Sequence, residues 1–242
     1  IIVYKAFGGI RQVFVFLSKV NSAQLDNQLI VVQPTEAGST QILYHVISVY
    51  ARGRKNMKKI CIVGLGYVGL HLARQFVRGG ASVLGLDIDR SKIDILTRGE
   101  SFIRHIPASE IAEMNDTGRF EATDDFSRVN GVDAIIICVP TPLSKHREPD
   151  LSFVISTATS LAPHLSKGTV VSLESTTYPG TTDGELRTAL EKGSGMVAGE
   201  DFHLVYSPER EDPGNAKSVE KIPKLLGGLT EKCRDRAFEI YS

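Results

Sequence analysis

The chain has no net charge, no apolar run of membrane-spanning length and no set of cysteines that would form a disulfide framework. Lysine plus arginine number 28, and aspartate plus glutamate also number 28. The chain as a whole therefore has no field that would attract nucleic acid or an anionic membrane. Its longest apolar stretches fall well short of the roughly 18 residues that a transmembrane helix requires. These absences predict a soluble protein that acts on a small molecule, with neither a nucleic-acid nor a membrane partner.

The three cysteines, Cys61, Cys138 and Cys233, are widely spaced and odd in number. Cys61 and Cys138 lie in apolar runs that are typical of buried strands. No CxxC pair and no histidine pair with the spacing of metal ligands occurs in the sequence. The sequence therefore predicts no disulfide framework and no metal site, and it favours the reducing cytoplasm as the compartment.

The first methionine, Met57, stands directly before a strand-like run, whereas the chain itself opens on Ile1. Residues 1–56 contain apolar patches and close on a basic stretch at 52–55, but they carry no chemical motif. Two interpretations remain open: an upstream or fused remnant that packs loosely, or a small separate domain. We predict an N-terminal extension of unknown role over 1–56 and one larger domain over 57–242.

From residue 58 onward, apolar runs of strand length alternate with segments of helical periodicity. The runs cover residues 59–63, 82–86, 133–139, 168–173 and 202–206. Helices are predicted over 69–78, 151–162 and 182–192, the first of them stopped by Gly79 and Gly80. This alternation is typical of parallel strands joined by helical crossovers. The sequence predicts an α/β fold, a Rossmann-type doubly wound, mostly parallel sheet with helices on both faces.

A glycine-rich hexapeptide links the first of these strands to the first helix. Its residues are Gly64, Leu65, Gly66, Tyr67, Val68 and Gly69, which match the pattern GxGxxG. The pattern alone is weak, but a strand before it and a helix after it are the context of a dinucleotide-binding loop. Gly64 permits a tight turn, Gly66 lets the backbone approach a pyrophosphate, and Gly69 lets the helix pack closely. The helix N-terminus then offers N–H groups and partial positive charge to the phosphates.

The second strand ends in Asp87, 18 residues after Gly69. A carboxylate there accepts hydrogen bonds from the adenosine ribose hydroxyls and repels a 2′-phosphate, so it favours NAD over NADP. Arg90 and Lys92 lie nearby and weaken this preference. The alternative interpretation is that Asp87 merely caps the next helix. The sequence predicts that the cofactor is NAD.

Three later segments place prolines and hydroxyl side chains at or after the ends of predicted strands. They are CVPTPL at 138–143, LESTTYPGTT at 173–182 and YSPEREDPGN at 206–215. In doubly wound sheets, ligands bind at the carboxyl ends of the strands, so Thr141 is a candidate to reach the nicotinamide ribose or the phosphates. A rigid proline loop without contact to a ligand explains the first segment equally well.

Taken in order with the glycine loop, these segments closely resemble the UDP-glucose/GDP-mannose dehydrogenase family over residues 57–242. They resemble most the branch that oxidises UDP-N-acetylhexosamines, the UDP-N-acetylglucosamine and UDP-N-acetylmannosamine 6-dehydrogenases of polysaccharide biosynthesis. The resemblance implies oxidation of the C6 alcohol of a UDP-sugar to a carboxylate, with two NAD reduced. A 6-phosphogluconate- or hydroxyacid-type dehydrogenase shares the first unit, but the proline-rich segments argue against it.

The resemblance also assigns roles to individual residues. It implies that the glycine loop and Asp87 bind the adenosine half of the cofactor, with Lys92 near the ribose. The residues that it places along the rest of the cofactor are Thr141, Ser175 and Thr176. Glu209 matches a glutamate that positions or deprotonates water in the second half-reaction, a task that suits a carboxylate whose pKa is raised by burial. Without the family, Glu209 is more simply a surface-loop acid.

The sequence departs from the family pattern in several places. Leu143 and Pro213 replace a second threonine and a second glutamate of UDP-glucose dehydrogenases, which suits the acetylhexosamine branch but leaves water activation less certain. The family's catalytic lysine and its nucleophilic cysteine, in a Gly-Gly-Ser-Cys-like loop, have no counterpart here, and Cys233 lies instead at a predicted helix start. The central helix used for dimerisation and the UDP-binding domain are also absent.

From these departures we expect an N-terminal NAD-binding part of a nucleotide-sugar 6-dehydrogenase that is inactive alone. The alternative is a non-catalytic NAD-binding or interaction module.

Overall fold

The computed structural model describes residues 58–143, 149–208 and 224–242, together with the backbone of two short strands at 28–31 and 47–48. The prediction of an N-terminal extension over 1–56 lies otherwise outside the described residues and stays a prediction. Among the described residues, no helix is long and apolar enough to cross a membrane.

The described strands form a single sheet. They are β1 (Gln28–Val31), β2 (Ile47–Ser48), β3 (Lys59–Val63), β4 (Ser82–Leu86), β5 (Phe120–Thr123), β6 (Ala134–Ile137), β7 (Val170–Leu173), β8 (His203–Tyr206) and β9 (Leu225–Gly228). Their order across the sheet is β2-β1-β9-β8-β7-β6-β3-β4-β5. The strands from β3 to β8 are mutually parallel, and β9 runs antiparallel to β8. The five predicted strands are present, each within about two residues of its predicted ends.

Within the described residues, six α-helices connect and follow these strands. They are α1 (Tyr67–Arg78), α2 (Arg90–Thr97), α3 (Ala108–Asp116), α4 (Ser152–Leu161), α5 (Arg187–Ser194) and α6 (Glu231–Tyr241). The predicted helix over 182–192 is present, but its first turn, Thr182–Leu186, is π-helical before α5 begins. The predicted helix α1 ends at Gly79, whose N–H donates to the carbonyl oxygen of Gln75.

Two hydrophobic clusters cover the two faces of the sheet. Along β3, Ile60 and Ile62 face the cluster that contains α1 and α6, while Cys61 and Val63 face the one that contains α4 and α5. Because successive residues of a strand point to opposite faces, a strand covered on both sides is apolar along most of its length. The observed architecture confirms the predicted doubly wound, mostly parallel sheet with helices on both faces.

The strand order reverses between β3 and β6. From β3 the chain adds β4 and then β5 on one side, and it then returns to place β6 on the other side of β3. At such a reversal, the connections that leave the two neighbouring strands, here β3 and β6, run in opposite directions. A crevice therefore opens between them at the carboxyl ends of the strands. The glycine-rich loop follows β3 and therefore lies at this crevice.

Candidate cofactor site

The glycine loop fits between the end of β6 and the start of α1 only because two of its residues have no side chain. Gly64 has φ of +92°, and a Cβ there would lie 2.8 Å from the carbonyl oxygen of Cys138. A Cβ on Gly69 would lie 1.9 Å from the carbonyl oxygen of Gly64. Both contacts are with backbone that is held in the sheet or in the loop itself. These two glycines are therefore required by the fold.

Gly66 differs from Gly64 and Gly69, the other two glycines of the motif, because the space where its side chain would stand is empty. It is the N-cap of α1 with φ −74° and ψ −163°, an extended conformation that any residue adopts, and a Cβ there would meet no atom within 4 Å. The first intrahelical bond runs from the N–H of Leu70 to the carbonyl oxygen of Gly66. The amides of the first turn of α1, which come before Leu70, have no acceptor inside the helix, and this turn holds no acidic residue. This open, electropositive backbone fits a pyrophosphate.

Asp87 is buried at the end of β4, where it joins the loop to the start of α2. Its Oδ2 accepts a hydrogen bond from the N–H of Leu65 at 2.8 Å, and its Oδ1 accepts one from the N–H of Asp89 at 2.9 Å. The alternative interpretation, that Asp87 caps the next helix, is wrong: the cap is Asp89, which accepts from the N–H of Ser91. The hydrogen bond from the Ser91 hydroxyl keeps the pKa of Asp89 below its usual range.

The two basic residues near Asp87 behave differently. The Nζ of Lys92 lies 3.1 Å from Oδ2 of Asp87, with the lysine side chain about one-third exposed. Arg90 instead pairs with Asp124 at 3.0 Å on the exposed surface. Between the two aspartates, Ile88 is 74% exposed, a large aliphatic surface beside the predicted ribose site that the sequence analysis overlooked. Lys92 thus reduces the negative field of Asp87, while Arg90 does not contact it.

The structure brings together the three predicted hydroxyl residues that follow β6 and β7. The Oγ1 of Thr141 donates to the carbonyl oxygen of Thr176 at 2.7 Å. The Oγ of Ser175 donates to the carbonyl oxygen of Val139, also at 2.7 Å. These bonds join the segments that leave two neighbouring strands at the same edge of the sheet. The contact of these residues with the cofactor stays a prediction.

The structure tells less about the remaining residues. Glu209 and Pro213 are outside the described residues, and Leu143 is exposed. Cys233 is fully buried in the first turn of α6, where its N–H donates to Oγ1 of Thr230. Such a thiol is out of reach of a substrate, which agrees with the expectation that Cys233 is not the nucleophile. Burial raises the pKa of the Cys61 thiol, so it stays protonated.

The sequence analysis missed a buried ionic cluster at the end of β7. Glu174 is 1% exposed, and its carboxylate contacts both Lys224 and Tyr241. A glutamate that closes an otherwise apolar run was the available signal. Within the ranges that the structure describes, no group of three or more histidine, cysteine, aspartate or glutamate side chains has an arrangement that would hold a metal ion.

Comparison with known proteins identifies relatives of this architecture. Residues 58–242 match the model of the UDP-glucose/GDP-mannose dehydrogenase family, NAD binding domain. A UDP-N-acetyl-D-glucosamine 6-dehydrogenase of Pseudomonas aeruginosa is 36% identical over 184 residues, which is 76% of this chain and 43% of that protein.

Two solved structures are also similar. A GDP-mannose dehydrogenase of Pseudomonas aeruginosa, solved as a ternary complex, superposes with a TM-score of 0.71 at 31% identity over 75% of this chain and 43% of that one. An NDP-N-acetyl-D-galactosaminuronic acid dehydrogenase of Methanosarcina mazei Go1 has a TM-score of 0.67 at 34% identity over 78% of this chain and 42% of that one. The chain spans less than half the length of each of these relatives. It belongs to the UDP-glucose/GDP-mannose dehydrogenase family, carries that family's NAD-binding domain, and its cofactor is NAD.

Proposed function

We propose that residues 58–242 serve as the N-terminal NAD-binding part of a nucleotide-sugar 6-dehydrogenase. The reaction is oxidation of the C6 alcohol of a UDP-N-acetylhexosamine or of UDP-glucose to a carboxylate, with two NAD reduced. The observation that carries the proposal is the open backbone of Gly66 at the N-terminus of α1, beside the buried carboxylate of Asp87. Bound NAD supplies the hydride acceptor that such an oxidation requires.

The proposed binding roles follow the charge of each group. The backbone amides at the N-terminus of α1 hold the pyrophosphate, because the positive end of the helix dipole favours an anion there and the fold leaves the space beside Gly66 open. Asp87 accepts hydrogen bonds from the adenosine ribose, with Lys92 close by. Thr141, Ser175 and Thr176 form the edge that faces the rest of the cofactor. Glu209 is proposed to position or deprotonate water in the second half-reaction.

The acetylhexosamine branch is the proposed substrate class. Its support is the set of motifs in 138–215 and the similarity to the Pseudomonas aeruginosa UDP-N-acetyl-D-glucosamine 6-dehydrogenase. We propose further that the complete protein acts in the cytoplasm and that it dimerises, as the family resemblance implies.

The NAD preference is tested by replacing Asp87 with alanine. We expect the 242-residue chain to bind NAD more tightly than NADP in calorimetric titrations. Asp87→Ala should lower NAD affinity by about tenfold or more and reduce the preference for NAD over NADP. The substitution removes a charged acceptor and leaves the N–H of Leu65 unpaired. Asp89→Ala is the matched control: it removes the cap of α2 and should lower stability by about 1 kcal/mol without changing the NAD to NADP ratio.

Either of two results would contradict this assignment. One is equal affinity of the unaltered chain for the two cofactors. The other is an Asp87→Ala variant that keeps the original NAD to NADP ratio.

A turnover assay tests whether this chain alone carries the residues that catalysis requires. We expect no NADH formation from NAD and UDP-N-acetylglucosamine, UDP-N-acetylmannosamine or UDP-glucose by the 242-residue chain. The reason is that, by the family resemblance, neither the catalytic lysine nor the Gly-Gly-Ser-Cys-like loop has a counterpart among these residues; Cys61 and Cys233 are buried, and the partly buried Cys138 is outside such a loop. The assay follows absorbance of the reduced nicotinamide at micromolar protein. Steady NADH production with any of the three sugars would show that the chain supplies its own nucleophile.

A further inference from the structure

The buried cluster at the end of β7 consists of Ser172, Glu174, Lys224 and Tyr241. The Oε2 of Glu174 lies 2.5 Å from Nζ of Lys224, and its Oε1 accepts a hydrogen bond from the hydroxyl of Tyr241 at 2.6 Å. The side chain of Glu174 has no exposed surface, while that of Lys224 is 22% exposed. The ammonium of Lys224 also stands 5.3 Å from the centre of the Tyr241 ring. The cluster thus ties β7 to the start of β9 and to the last turn of α6.

Hydrogen-bond direction within the cluster follows from the donors available. A carboxylate only accepts, so the single proton of the Tyr241 hydroxyl points to Glu174. The hydroxyl of Ser172, 2.9 Å from the phenolic oxygen, must then donate to it. Burial, and next the adjacent negative charge of Glu174, raise the pKa of Tyr241 well above its ordinary value. Tyr241 therefore remains a donor at neutral pH.

Stability alone is a poor explanation for this cluster. Removing two charges from water costs several kcal/mol per ion, and apolar side chains of similar volume often hold a core as well or better. Directional bonds add a defined position. A carboxylate that is held by an ion pair and by a tyrosine hydroxyl has less freedom to move than a side chain held by apolar packing alone. Ser172 and Glu174 project from the same face of β7, so the cluster defines the position of the last residues of this strand.

The residues that follow are those of the predicted cofactor edge. The N–H of Glu174 donates to the carbonyl oxygen of Ile137 at 2.9 Å, which closes the ladder between β6 and β7. One residue later Ser175 bonds to Val139, and the next carbonyl, that of Thr176, accepts from Thr141. The side chain of Glu174 therefore holds residues 174–176 on one side. On the other side, these three hydrogen bonds join the same residues to the end of β6 and the loop that follows it.

We propose that Glu174 is a positioning residue for the NAD site: held by Lys224 and Tyr241, it sets where Ser175 and Thr176 stand at the carboxyl edge of the sheet. This role rests on the proposed function of that edge in NAD binding. Glu174 acts through the backbone of residues 174–176 and not by touching the cofactor. Loosening the cluster shifts this edge against the loop that follows β6 and so weakens NAD binding.

The test compares NAD affinity with stability in three variants of the 242-residue chain. Glu174→Gln keeps the shape but loses the ion pair, and it should lower NAD affinity by about tenfold in calorimetric titrations. Tyr241→Phe removes one hydrogen bond and should lower NAD affinity by about threefold. The double variant Glu174→Met with Lys224→Met replaces both charges by apolar side chains; it should recover the midpoint of thermal unfolding but not the NAD affinity.

The matched control is Asp201→Asn. Asp201 pairs with Lys167 at 2.8 Å near the amino ends of β7 and β8. The substitution therefore removes an ion pair at the opposite edge of the sheet. This variant should change thermal stability without changing NAD affinity.

The outcomes separate positioning from simple stabilisation. Weak NAD binding by the stable double variant, with normal binding by Asp201→Asn, supports the positioning role. Wild-type NAD affinity in the double variant and in Tyr241→Phe overturns it, and these two variants decide the matter even if Glu174→Gln does not fold. Absence of NAD binding by the unaltered chain would instead overturn the proposed function, and this role with it.

Discussion

Replacing Gly66 by valine is expected to abolish NAD binding and to leave the fold intact. The position has ordinary extended dihedral angles, and a Cβ there would meet nothing within 4 Å, so a side chain costs the free protein little. In the proposed function, the backbone approaches the pyrophosphate through this same open space. A branched side chain there would block several charge-assisted hydrogen bonds, so affinity should fall by roughly a hundredfold or more.

Calorimetric titration with NAD and a thermal unfolding curve measure the two halves of this prediction. Gly184→Val is the control, because Gly184 is also open and lies outside the left-handed region, but it belongs to the π-helical turn that leads into α5. The control should bind NAD as the unaltered chain does. If Gly66→Val binds NAD normally while it stays folded, the pyrophosphate does not approach the loop at this residue.

Replacing Gly69 by alanine should have the opposite consequence and damage the fold. The added methyl would lie 1.9 Å from the carbonyl oxygen of Gly64 and 3.2 Å from Cγ2 of Ile62. The first clash is with backbone inside the tight turn, so α1 must move away from the sheet to relieve it. Overpacking of this kind costs about 3 kcal/mol or more. That is a large part of the roughly 5–15 kcal/mol by which a domain is stable.

Urea unfolding followed by circular dichroism measures this loss. Gly66→Ala, three residues earlier in the same motif, is the matched control and should keep the unfolding midpoint within a few tenths of a molar. Similar midpoints for the two alanine variants would mean that α1 can move away from the loop without loss of packing.

The strands that the sequence predicted share one physical property, extensive burial on both faces of the sheet. Strands β3, β6 and β7 are mostly apolar, apart from Lys59 at the start of β3 and Ser172 in β7, because helices cover each side of the sheet, so their runs stand out in the sequence. Strand β5 is only partly buried and reads FEAT, and β9 reads LLGG, so neither shows a continuous apolar run. Helices α2 and α3 were missed since each buries only two residues, too few to establish a helical period.

The candidate site divides in the same way. The sequence by itself determined the glycine loop, its flanking strand and helix, and the acid at the end of β4, because these lie within 30 residues and their spacing is imposed by local geometry. The family resemblance, which rested on the glycine loop together with the three segments in 138–215, is confirmed. Only the tertiary structure decided that Asp87 binds the amide of Leu65 and that Asp89, not Asp87, caps α2.

Only the tertiary structure, too, assembled the cluster around Glu174. Its partners lie 50 and 67 residues further along the chain, directly before β9 and in the last turn of α6. A strand, a turn or a helix is encoded by the period and type of neighbouring residues. A buried carboxylate instead acquires its partners when the sheet places distant segments side by side, and no local pattern in the sequence records which segments those will be.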